Sequence, residues 1–101
     1  MIRHTTAILY REDPSPRGVF DRPVRRERKV YCTVRSVGMR ESYEAMSHGL
    51  RPELVITLAQ AFEYQGEGSV ILDGTDYTVL RTYVTTEDGI ELTLQRKEDV
   101  G

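Results

Sequence analysis

EGSVILDGTDYTVLRTYVTTEDGIELTLQRK, residues 67–97, carries the clearest structural signal in the chain. Val70, Leu72, Tyr77, Val79, Ile90, Leu92 and Leu94 recur at period two, the spacing that places strand side chains on one face. Asp73-Gly74 and Asp88-Gly89 stand where the chain must reverse. Three strands follow, over Ser69–Leu72, Asp76–Val84 and Ile90–Arg96, joined as a meander. Tyr77, Val79, Ile90, Leu92 and Leu94 are expected in one core. Tyr77, Val79 and Tyr83 share the inward parity of the second strand, and so does Arg81. That side must therefore approach solvent near Arg81, or the parity breaks there at a twist or bulge.

Further strands are predicted over Ile2–Tyr10, Arg28–Val37 and Glu53–Ala59, all rich in β-branched or alternating apolar residues. In the first, Ile2, Thr6, Ile8 and Tyr10 oppose Ala7 and Leu9. Met39–His48 changes period: Met39, Tyr43, Met46 and Leu50 form a narrow apolar stripe on a short helix, which Gly49 and Pro52 end. So little apolar surface cannot sustain a free helix, so the stripe is expected to face the core and cover one end of the sheet or barrel. Between the first two strands, Asp13-Pro14, Ser15-Pro16, Arg17-Gly18 and Pro23 predict a long exposed loop over Glu12–Glu27. Residues 60–68 carry no clear pattern. The expected fold is all-β in the main: one domain over 1–101, a small β-barrel of about six strands with one inserted helix, since closure hides sheet edges.

The composition, 39% apolar with no tryptophan, excludes disorder and a membrane span. A chain this short buries roughly 60–65% of its unfolded surface, so its stability margin is thin. The start lacks the pattern of a secretory signal, and the single Cys32 in an apolar strand suggests a packed thiol in a reducing compartment. The net charge of −2 hides an asymmetry. Arg17, Arg22, Arg25, Arg26, Arg28 and Lys29 face only Asp21 and Glu27, a local excess of +4 that leaves −6 elsewhere. Such separation orients surfaces in an assembly and argues against a globally basic nucleic-acid binder.

No catalytic constellation emerges, and no cofactor or metal is expected. His4, His48 and Cys32 lack metal-ligand spacing, and His48 fits a helix C-terminus. Glu41 and Glu44 share a helix face and suit solvation or interfacial ion pairs better than acid–base work. Asp73, Asp76, Glu87 and Asp88 are turn residues, and Ser36 and Ser42 have no activating base nearby. Tyr31, Tyr77 and Tyr83 are possible stacking platforms for single-stranded nucleic acid, but an inward Tyr77 and Tyr83 explain the pattern better.

The order of RKVYCTVRSVGMRESYEA (28–45), ILDGTDYTVLRTY (71–83) and IELTLQRK (90–97) resembles the bacteriophage head-tail joining family, the head closure or stopper proteins of tailed phages and prophages. The resemblance spans Ile2–Lys97. It implies a small β-barrel with an inserted helix, self-associated in a ring, dodecameric in the virion, within the neck between portal adaptor and tail or tail-completion proteins. Such a ring closes the DNA channel behind packaged double-stranded DNA and needs no membrane. It would assemble in the host cytoplasm. In that setting Arg17, Arg22, Arg25, Arg26, Arg28 and Lys29 would contact the DNA channel or a neighbouring subunit. The alternative is a non-enzymatic β-barrel adaptor that binds another protein or nucleic acid outside a phage.

Overall fold

The computed structural model describes residues 2–13 and 24–97. Alternating side chains along the strands give β1 (Arg3–Asp13), β2 (Val24–Ser36), β3 (Leu54–Leu58), β4 (Ser69–Leu72), β5 (Thr75–Val84) and β6 (Ile90–Arg96). A helix, α1 (Met39–Met46), joins β2 to β3, and a 3₁₀ turn spans Ala61–Glu63. The strands close an antiparallel barrel in the order β1-β2-β3-β6-β5-β4, with β4 returning to β1 through Ile8↔Ile71 and Tyr10↔Ser69. The expected small barrel with one short helix is the fold.

The inward side chains of every strand meet in one core. Leu9, Val30, Cys32, Val34, Ile56, Leu58, Val70, Leu72, Tyr77, Ile90, Leu92 and Leu94 are buried together, with Val79 packed against them. Cys32 is a free buried thiol, and burial pushes its pKa up. Two turns set the β4–β5–β6 register. Asp73 (φ 51°) and Gly74 (φ 76°) both take the left-handed conformation that matches a two-residue turn to the strand twist. In the longer β5–β6 turn Asp88 takes that conformation (φ 65°). Gly89 meets a different demand: a Cβ there would sit 2.8 Å from the Leu58 carbonyl oxygen.

Three expectations are corrected. The first is the inward placement of Tyr83: the parity of β5 breaks, one of the two alternatives that Arg81 leaves open, at a bulge between Val79 and Arg81, where Val79↔Leu94 is followed by Arg81↔Thr93. The extra residue turns Arg81 and Tyr83 outward, so Tyr83 is 62% exposed instead of sharing the core with Tyr77. Next, the loop expected over Glu12–Glu27 is narrower: Arg11↔Arg26, Glu12↔Arg25 and Asp13↔Val24 are paired strand residues. Asp13 precedes a proline, which favours extended backbone, and 24–27 contains no breaker. Residues 14–23, with Arg17 and Arg22, lie outside the described residues.

The third correction concerns α1. Met39, Tyr43 and Met46 point away from the barrel, at 75%, 65% and 56% exposure. The barrel fills its own interior, so the helix caps no open end. It lies against the outer wall, where Glu41, Glu44, Ala45 and His48 line a cavity of about 210 Å³ with Leu80, Arg81 and Thr93. Val55 and its partner Thr93 are buried there on the non-core side of β3 and β6. Glu41 forms an ion pair with Arg81. The helix has no buried residue of its own.

Candidate functional site

β1 and β2 are longer than their neighbours. β4 pairs with β1 only over Ile8–Tyr10, and β3 pairs with β2 only over Thr33–Ser36. Arg11–Asp13 and Val24–Arg26 therefore extend past the barrel as a two-stranded ribbon, which carries Arg25 and Arg26 of the described basic cluster, while Arg28 and Lys29 follow on β2.

The cluster does not act as one patch. Arg28, expected at a channel or subunit contact, turns inward and meets Glu67, which is only 3% exposed. Arg28 Nε donates to Glu67 Oε2 at 2.7 Å, and its Nη2 donates to the Glu63 carbonyl. The Gln65 amide donates to Glu67 Oε1 at 2.8 Å, and the Tyr64 hydroxyl donates to the Glu67 carbonyl at 2.7 Å. Burial pushes the Glu67 pKa up. The amides of Glu67 and Gln65 and the Arg28 guanidinium outweigh that effect and hold it below the usual carboxylate range. Arg28 thus ties the β3–β4 connection to β2, a structural role within the chain.

The other cations stay on the surface. Arg26 Nε donates to Asp13 Oδ2 at 2.7 Å across the ribbon. Arg25 lies 3.5 Å from Glu27 and stacks over the Tyr10 ring at 3.8 Å. Lys29 is exposed and makes no ion pair among the described residues. Beside Arg25, a network escaped the sequence reading. Tyr10 OH donates to both Asp76 carboxylate oxygens at 2.6 and 2.7 Å, while Lys97 Nζ donates to Tyr10 OH and Ser69 Oγ, each at 2.9 Å. It ties β1, β4, β5 and the end of β6 on the outer wall. Only the odd burial of an outward-parity tyrosine betrays it.

Among the exposed apolar side chains of the described residues, three features bear on binding. One is the α1 stripe. A second is a groove of about 520 Å³ on the outer wall, lined by His4, Thr6, Tyr31, Thr33, Thr57 and Ala59. The third is Phe62 on the 3₁₀ turn. Tyr31 is exposed and Tyr77 buried, and Tyr83 emerges from β5, which does not neighbour β2. The three tyrosines do not form one stacking platform. Among the described residues no group of three metal-ligating side chains converges, and no helix is long and apolar enough to cross a membrane. No family model matches the chain, and no curated protein matches it.

Proposed function

We infer that this chain is a β-barrel adaptor that works by binding another protein, with no turnover step. The outward stripe of Met39, Tyr43 and Met46 carries the inference. A helix without a buried residue gains nothing for the monomer by displaying large apolar side chains, whereas methionine and tyrosine are suited to protein contact surfaces. Protein is favoured over nucleic acid because Arg28 is taken up by the buried Glu67, and the cations left on the surface alternate with Glu27 and Asp13 and do not line one positive groove. A photo-crosslinking residue placed at Tyr43 should give a discrete protein adduct in the cell of origin. The adduct should vanish when Met39 and Met46 become serine. No adduct at Tyr43, with adducts at a control position on β6, would refute this assignment.

A narrower second proposal is head-tail joining in a phage neck. The helix inserted between β2 and β3 of a small barrel supports it, because that is the architecture the resemblance implies. On this proposal the partners are a portal adaptor, tail or tail-completion proteins and further copies in a ring. Particles lacking the protein should show untailed or leaking heads by electron microscopy, and adding it back should restore the neck. Normal tail attachment and DNA retention without it would exclude head closure.

A further inference from the structure

Barrel closure should leave no sheet edge, yet it is incomplete along β2. Among the described residues, Val24–Cys32 pairs with β1 on one side and with no strand on the other. The Val37 amide donates to the Glu53 carbonyl on the β3 side. Backbone direction alternates along an antiparallel strand, so the odd-numbered positions face that same side. Arg25, Glu27, Lys29 and Tyr31 therefore each turn an N–H and a C=O toward a lane that no described strand occupies. We propose that this edge of β2 accepts an extended acidic peptide segment of a partner protein as an added strand.

Charge selects the occupant. Val24–Cys32 carries Arg25, Arg26, Arg28 and Lys29 against Glu27 alone. An added strand lies about 4.8 Å from β2 and roughly twice that from the β1 carboxylates Glu12 and Asp13, so it meets chiefly the β2 cations. Arg28 is committed to the buried Glu67, whereas the Arg25–Glu27 and Arg26–Asp13 pairs lie on the surface and are weak enough to exchange partners. Arg25, Arg26 and Lys29 remain to pair with acidic side chains directly across the ladder. A second copy of the chain is disfavoured because it would oppose one basic strand to another. Nucleic acid has no N–H and C=O ladder to match the edge. Where β2 rejoins β3, the groove beside Tyr31 and Thr33 offers an apolar site for one side chain of the segment. The edge and the α1 stripe are different surfaces, so the proposal does not rest on that stripe.

The test uses a fluorescein-labelled nonapeptide of alternating glutamate and valine, followed by anisotropy against the full chain. Binding should be saturable and weaken with salt. Two further peptides carry N-methyl groups on one or the other alternate set of amides. One set should weaken binding roughly tenfold or more, through lost ladder hydrogen bonds, and the other should be tolerated. Lys29→Pro removes an edge N–H and should act like the damaging set, whereas Lys29→Ala should cost only a few-fold. If Lys29→Pro fails to fold, the methylated pair decides. The proposal is overturned by no binding, by equal tolerance of both methylated peptides, or by an equally charged oligonucleotide that binds as well. A dimer of the free chain dissolved by Lys29→Pro would overturn it too, since a second copy would then occupy the edge.

Discussion

Glu67 is a carboxylate that folding has taken out of water and then held ionised. Its depressed pKa means that its contribution to stability is complete above the unfolded value, about 4.3, and is lost as pH falls through the lower folded value. Glu67→Gln should cost about 1–3 kcal/mol at neutral pH, because it strips a charge-assisted partner from Arg28. In urea melts the gap between wild type and variant should shrink toward pH 3, and a gap constant across pH would refute the ion-pair account. Gly89→Ala should cost a further 1–3 kcal/mol or so, since the Leu58 carbonyl 2.8 Å away is backbone and yields little. Thermal melts of that variant beside an exposed control such as Thr86→Ala would show it. Neither residue announces itself in the sequence. Glu67 and Arg28 are 39 positions apart, and Asp88-Gly89 reads as a turn without revealing which backbone it must pass.

For elements, period-two spacing was enough to place β4, β5 and β6 almost to the residue, because alternation is a local property of a half-buried strand. Which face of α1 turns inward is not local. The stripe at Met39, Tyr43 and Met46 is the same whether it covers a core or a partner, and only closure of the barrel decides between them. The β5 bulge is an intermediate case: Arg81 at an inward parity signals a break, and the break redirects Tyr83. Replacing Met39, Tyr43 and Met46 together by serine should change stability by no more than about 0.5 kcal/mol per site. A larger loss would return the stripe to the core. Because α1 has eight residues and none buried, its amides should exchange with solvent far faster than those of β6. Exchange followed by mass spectrometry would measure both.

In the whole molecule, one interior is shared by all six strands, so damage anywhere in it is felt by the entire barrel. Leu92, with no exposed surface, sits on the strand between β3 and β5. Leu92→Ala should cost roughly 2–5 kcal/mol, lowering the denaturation midpoint while leaving a single cooperative transition. A chain this small has little stability to spare, so the variant should be close to unfolding at physiological temperature. The fold was legible because hydrophobic alternation and turn chemistry agree with it. The candidate surfaces were less so: the basic run was visible as charge, but its division between the Glu67 anchor and the β2 edge depends on strands that meet only after folding.

The strand order has a kinetic consequence. β1 must find β4, with Ile8 opposite Ile71, and β3 must find β6, with Leu54 opposite Leu94. Neither pairing is a hairpin, and each has to close a long loop before any contact rewards it. Refolding should accordingly take milliseconds to seconds, the range of non-local β-folds, and stopped-flow mixing would time it. Until β6 docks, β3 and β5 both have open flanks, so a nascent chain halted before Ile90 would present two sticky strands at once. Ribosome-stalled chains ending before and after β6 should differ sharply in their tendency to aggregate.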